Sequence, residues 1–282
     1  MIAVTRPKQK SPAGIQSVEI GLKVLDALVK LDRPAALREV ARQAGLSTSK
    51  IHRYLVSLSR TGLVVQHAGS GAYDLGPKAL HLGLAALSRL DSQKLAADAV
   101  ETLHARTGHT VALFVWGNRG PTIVRWKEAI QAVTVNARPG HVLSTTGSAS
   151  GRVFAAFLPQ DVVAPFVQAE FQSGLRAQYH GRPIEPIAFE RLLDNIRKEY
   201  ISIARGDVMA GVDAISAPVF NHEQTVTFVL SVWGAQGLID VDRDGDCSSL
   251  LLRTASELSS QLGYSGSFPL FDSTKKLVGE RL

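Results

Sequence analysis

The stretch Leu37–Arg60, LREVARQAGLSTSKIHRYLVSLSR, divides at helical period into two short helices around one glycine. Leu37, Val40, Ala41 and Ala44 share one face of the first helix. Gly45 supplies the left-handed residue that a sharp turn requires, and Leu46 plugs the corner. Ser47 stands at the N-cap of the second helix, whose expected buried stripe is Ile51, Leu55 and Leu58. Its outer face then carries Thr48, Ser49, Lys50, His52, Arg53 and Ser57, hydroxyls and bases without a carboxylate. A helix seated by its apolar side with such residues at its exposed start is what a helix-turn-helix places in a DNA major groove.

Helix–glycine–helix is also an ordinary αα-hairpin, so the flanks decide. Upstream, Ser17–Val29 reads as an amphipathic helix with Val18, Leu22, Leu25 and Leu28 at core spacing. Downstream, Gly62 stops the second helix, and Leu63–Gln66 and Tyr73–Leu75 read as strands joined through the turn-forming run His67–Ala72. Three helices and a hairpin make a winged helix-turn-helix over residues 16–76. The candidate DNA contacts are Arg38, Ser47, Thr48, Ser49, Lys50, His52 and Arg53.

Charge supports this division. The 282-residue chain is 45% hydrophobic, enough for two domains, and has a formal charge of +6. Residues 1–76 carry 11 lysines and arginines against five acidic residues, whereas residues 77–282 carry 20 against 20. The whole excess therefore sits on the helix-turn-helix segment together with the residues that precede it, as binding to a phosphate backbone requires. A merely soluble basic domain is the alternative to this reading.

Cys247 is the only cysteine, which excludes an intrachain disulfide or a cysteine zinc site and fits a cytoplasmic location. Residues 1–15 read as a flexible basic arm without the apolar run of a signal peptide. No stretch approaches the roughly 20 apolar residues of a membrane span.

Residues 77–92 read as a linker helix, with Pro77 at its start and Ala79, Leu80, Gly83, Leu84 and Leu87 forming an apolar face. Such a face is expected to pack across a subunit boundary, because dimeric readers hold two recognition helices one DNA turn apart. A helix over Leu95–Arg106 opens the second domain, residues 93–264. Strand patterns follow at Val111–Trp116, Thr122–Trp126 and Ala132–Val135, then helices at Ser148–Phe157, Val162–Gln168 and Ile187–Glu199. Strands return at Ile201–Ala204, Val212–Phe220 and Thr225–Val232 before a last helix from about Arg243 to Leu262. Hairpin-paired strands with helices gathered between them indicate an α+β domain around an antiparallel sheet. The tail, residues 265–282, is weakly patterned.

Few motifs carry chemistry. Asp240–Asp246 resembles the start of a calcium loop, but Leu251 occupies the position of the bidentate glutamate, so it reads as acidic residues at a helix N-terminus. Gly147-Ser-Ala-Ser-Gly resembles a hydrolase elbow with Ala149 in place of the nucleophile. The eight histidines show no ligand spacing, and neither a P-loop nor a dinucleotide fingerprint occurs. An enzyme, a metal and a cofactor are therefore all unsupported. The small residues Gly147–Arg152 entering a helix read either as an ordinary capped start or as a carboxylate site at the helix's positive end.

Taken together, Ser17-Val-Glu-Ile-Gly-Leu-Lys-Val-Leu, Gly45–Leu55, Tyr73-Asp-Leu-Gly, Gly140 with Ser144–Arg152, Arg197-Lys-Glu-Tyr-Ile and Gly211–Phe220 resemble the IclR-type bacterial transcription regulators, over about residues 16–262. The resemblance implies a winged helix-turn-helix, a linker helix and a GAF-like effector domain, working as a homodimer or tetramer on a double-stranded DNA operator with a small-molecule effector. It also implies an effector site at Ser150 and Gly151, with Ala204, Ala214, Ser231 and Trp233 facing it; Arg125 or Arg138 reads either as a charged partner for the effector or as a surface strand residue.

Members that bind small oxo-acids have an acidic residue, a cysteine and two serines at those four strand positions. Ser144 and Thr145 also replace a usual Pro-Leu pair, and Arg152 a usual lysine. The apolar replacements predict a larger, flatter effector, an aromatic carboxylate with its ring on Trp233 and its charge near Gly151. The expected function is a ligand-responsive regulator of a catabolic operon, a repressor in preference to an activator. The alternative is an effector-independent winged-helix nucleic-acid-binding protein.

Overall fold

Helix α1 (Gln16–Leu31) buries Ile20, Gly21, Val24, Ala27 and Leu28. The structure, a computed structural model, describes residues 14–129, 137–173, 178–179 and 182–269. Val18 and Leu22, expected in the core, are instead 58% and 56% exposed. The helix is apolar on two faces. The stripe through Ile20, Val24 and Leu28 packs, while Ile15, Val18, Leu22 and Val29 stay in solvent.

Helices α2 (Leu37–Ala44) and α3 (Thr48–Arg60) complete the trihelical unit, turning at Gly45 with φ 66°. Val24, Leu28, Val40, Ile51, Leu55 and Tyr73 close its core. Glu39 accepts from the Ala36 amide (3.0 Å) and from Arg33 (2.7 Å), which fixes the start of α2. Strands β1 (Val64–Gln66) and β2 (Tyr73–Leu75) form the wing. A bridge from Ala35 to Tyr73 adds a third edge that the pattern did not indicate.

Helix α4 (Pro77–Leu87) buries no residue, and Leu80, Leu82, Leu84 and Leu87 are all exposed. It ends short of the expected linker span, since Ser92 already opens the next helix. A compact unit ends at Leu90 and a second begins at Asp91. The arm expected over residues 1–15 lies outside the described residues as far as residue 13.

The second unit runs α5 (Ser92–Thr107), β3 (Thr110–Gly117), β4 (Gly120–Lys127), α6 (Ala149–Phe157) and α7 (Gln160–Gln172). It continues β5 (Gln178–Tyr179), β6 (Arg182–Pro183), α8 (Pro186–Glu199), β7 (Ser202–Arg205), β8 (Val212–Phe220), β9 (Val226–Ala235) and α9 (Asp246–Gln261). Five strands form one antiparallel sheet in the order β4-β3-β9-β8-β7. Helix α6 packs on one face, with α7 and α8 outside it, and α5 and α9 pack on the other. Every residue of β8 is consequently buried. The strand expected at Ala132–Val135 lies outside the described residues.

The last helix starts at Asp246, later than expected, after a turn in which the Gly245 amide donates to the Asp242 carbonyl (3.0 Å). Among the described residues no group of His, Cys, Asp or Glu gathers at metal-binding distance. The tail also differs from its weak pattern, for Phe268 packs on Tyr200 (ring centroids 5.0 Å apart) and is 8% exposed. Leu55→Ala, at a fully buried position, is expected to destabilise the winged-helix unit by about 2–5 kcal/mol, read as a lower urea midpoint.

Candidate functional site

Two places concentrate polar side chains at the start of a helix. The first is α3. Arg38, Ser47, Thr48, Ser49, His52 and Arg53 are exposed and Lys50 is half-buried. Ser47 occupies the N-cap position, but its hydroxyl lies 3.4 Å from that of Ser49 and caps no amide. Both hydroxyls thus remain on the outer side of the turn. No acidic residue stands in the first turn of α3, so nothing there opposes a phosphate. Ser57 turns back to the carbonyl of Arg53 (3.1 Å).

The second place is the start of α6, where it meets β7, β8 and β9. Register sets Ala204 beside Ala214 and Ala214 beside Trp233, so the three share one sheet face. With Ser148, Ala149, Val208, Met209 and Val212 they line a cavity. Its free volume is about 10 Å³, room for one water and far below the about 300–1,000 Å³ of ordinary ligand pockets. The indole of Trp233 fills the space, edge-on to Trp126 (5.5 Å) and stacked toward Phe114 (6.5 Å). Its Nε1–H is buried without an acceptor.

Four expectations need correction here. Ser231 does not line the cavity. It is fully buried, donates to the Ile215 carbonyl (3.0 Å) and accepts from Ser216 (2.8 Å). Gly151 is not open to a ligand, because its amide already donates to Ser148 Oγ (2.9 Å). A Cβ there would meet the Ser144 carbonyl oxygen at 2.3 Å, so the chain crosses too closely for anything to enter. Ser150 lies 3.2 Å from Ser148 Oγ, and the turn residues that reach the cavity are Ser148 and Ala149. Arg125 pairs with Leu113 and alternates with Trp126, which puts it on the α5 face beside Lys127, itself bound to Glu101 (2.8 Å). Arg138 is exposed.

Arg152 ties the site together. Fully buried, it donates from Nε to the Thr146 carbonyl (2.8 Å), from Nη1 to the Ile203 carbonyl (3.1 Å) and from Nη2 to Asp207 (2.8 Å). Burial pulls the guanidinium pKa down, and the Asp207 charge works against that. Asp207 belongs to the β7–β8 loop that also carries Val208 and Met209, so one ion pair joins the α6 start to the cavity wall. The sequence reading marked Arg152 only as a departure from lysine and missed Asp207, Val208 and Met209, which have no local signal.

A groove of about 610 Å³ runs between α7 and α8 past Val163, Val167, Phe171, Phe189 and Leu193. None of the candidate DNA- or effector-binding residues lines it. No helix among the described residues is long and apolar enough to cross a membrane.

Comparison with known proteins bears on both parts of the chain. Residues 17–68 match the model described as the IclR helix-turn-helix domain. Residues 84–260 match the model described as the bacterial transcriptional regulator IclR C-terminal domain. The chain is 25% identical over 254 residues to the transcriptional repressor IclR of Escherichia coli K12, covering 89% of this chain and 91% of that protein. Its fold matches the crystal structure of Pseudomonas aeruginosa HmgR with a TM-score of 0.75 and 38% identity, over 90% of this chain and 100% of that one. It also matches an IclR homolog from Microbacterium hydrocarbonoxydans complexed with 4-hydroxybenzoate, with a TM-score of 0.51 and 22% identity, over 87% and 98% of the two chains.

Asp207→Ala strands the buried Arg152 charge and is expected to cost about 3–5 kcal/mol. Adding Arg152→Met is expected to recover much of that loss, so denaturant midpoints around the double-mutant cycle should be strongly non-additive.

Proposed function

Because the chain belongs to the IclR family of bacterial transcriptional regulators, we propose that it is an effector-responsive repressor of a catabolic operon, one that senses an aromatic carboxylate in the α6 cleft. The observation that carries the effector reading is the buried, unpartnered indole N–H of Trp233 beside the positive end of α6. An oxygen-bearing flat ring would satisfy the indole and stack in the surrounding aromatic wall. The 4-hydroxybenzoate complex of the Microbacterium homolog supports an acid of that kind, and the named repressor from E. coli supports repression.

Trp233 fills the cleft rather than widening it, so the effector enters when the loop carrying Val208 and Met209 moves aside. Gly206 (φ 69°) and Gly211 (φ 81°) bracket that loop and give it pivots. Opening it strains the Arg152–Asp207 tie at the start of α6. The effector thus acts through differential affinity for two arrangements of the protein.

The operator is read by α3. Ser49, His52 and Arg53 point away from the Ile51–Leu55 core, and Ser47, Thr48, Lys50 and Arg38 flank them toward the phosphates. A second copy covers the exposed leucines of α4 and the exposed stripe of α1, giving the paired readers that a two-fold operator requires.

Arg53→Ala is expected to weaken operator binding by at least about 1 kcal/mol, the scale of one good groove contact, in a gel shift with an intact fold by circular dichroism. Calorimetric titration of the full chain should show benzoate binding more tightly than pyruvate or glyoxylate. The reverse order would falsify the aromatic reading. A thermal-shift screen in which no organic acid stabilises the protein favours the effector-independent alternative.

A further inference from the structure

One carboxylate outside the cleft holds the approach to α6. Glu170, half-buried on α7, accepts from the amides of Thr145 (2.6 Å) and Thr146 (2.9 Å) and from the hydroxyls of Ser144 (2.7 Å) and Thr146. Four donors converge on two oxygens, a demand that an acceptor-only group meets in full. A glutamine there would turn its NH2 against a donor. The network then runs inward. Ser144 Oγ accepts from the Gly147 amide (2.8 Å), and the Ser144 carbonyl accepts from the Ser148 hydroxyl (2.6 Å). Ser148 in turn caps Gly151 and lines the cavity beside Trp233. From the other side Arg152 holds the Thr146 carbonyl. The segment 144–146 is therefore gripped by an anion on its N–H groups and by a cation on a carbonyl.

We propose that Glu170 is a positioning residue for the effector cleft. Residues 144–146 form a carboxylate cradle, and Glu170 is its tethered ligand, setting through Ser144 where Ser148 and the first turn of α6 stand. The positioning role rests on the reading of the cleft as the effector site; the cradle does not, since it is a carboxylate receptor whatever the cleft binds. A cradle of this kind takes a free carboxylate once the tethered one is cut away. An exposed carboxylate on a helix surface does not behave so.

The test uses the full-length protein with Glu170→Ala and Glu170→Gln, melted in sodium acetate, in sodium chloride of equal ionic strength and in acetamide. Glu170→Ala is expected to melt about 5 °C below the native protein, with acetate restoring at least half of that shift and chloride and acetamide none. Glu170→Gln is expected to lose as much and to gain nothing from acetate, because its side chain still occupies the cradle. It also serves where the alanine variant does not fold, since a native melting temperature for it refutes the cradle. Acetate that raises native and alanine proteins equally, or acetamide that works as well, overturns the proposal. Benzoate affinity, measured for Glu170→Gln at a temperature where it is fully folded, is expected to fall about tenfold, the scale of one charge-assisted hydrogen bond, with operator affinity of the unliganded protein unchanged. Native benzoate affinity despite a lowered melting temperature also overturns the positioning role. Should the native protein bind no acid offered, the effector reading fails, and the acetate comparison still decides the cradle.

Discussion

A helix buried along nearly its whole length has to find partners for its ends inside the protein. Ala149–Ala156 of α6 are all buried and only its last residue, Phe157, is half-buried, so protein groups supply most of the hydrogen bonding at its ends. The surrounding structure meets that requirement with side chains of the sign the helix dipole prefers. At the N-terminal end Ser148 caps the first turn, and the Glu170 carboxylate holds the segment before it. At the C-terminal end Arg197 of α8 donates to the carbonyl of Ala156 (2.7 Å). Helices α7 and α8 are thereby moored to α6 by charge, one at each end.

The same requirement explains why a full positive charge is tolerated in the core. Arg152 sits in the first turn, where a cation is unfavourable to the helix, and is fully buried. It persists because Asp207 and two carbonyls take its donors, and because it ties the helix start to the β7–β8 loop. The effector response proposed above would use such a linkage. When the wall of the cavity and the start of the helix share one ion pair, anything that moves the wall is felt at the helix. The winged-helix unit is built on the opposite plan, with its small core closed by aliphatic side chains and Tyr73 and none of its basic residues buried.

Most of the architecture was legible because local rules control it. The turn at Gly45, the wing between Gln66 and Tyr73, the start at Pro77 and the hairpin that joins β8 to β9 each depend on a few neighbouring residues. Strand and helix periods placed nearly every element of the second unit, and the confinement of excess charge to residues 1–76 located the reading head. The cavity at the start of α6 was legible in part. Ala204, Ala214 and Trp233 do meet on one face, as their resemblance to a known pattern implied. Ser150, Gly151, Ser231 and Arg125 do not join them.

These failures have one origin. Periodicity says that residues share a face, and it is silent on what covers that face. Helix α1 carries two apolar stripes, and nothing local says which one meets α2 and α3. Arg125 is one residue from Trp126, and that single step moves it to the other side of the sheet. The apolar residues around position 233 suggested room for a large flat effector against Trp233, but packing against Phe114 and Trp126 puts the indole itself in that space. Glu170 is 24 to 26 residues from the donors it binds, and Asp207 is 55 from Arg152. Chain-local chemistry settled the kinds of element and their order. Which buried groups become partners was left to close packing, because satisfying them requires segments distant in sequence to arrive at the same point.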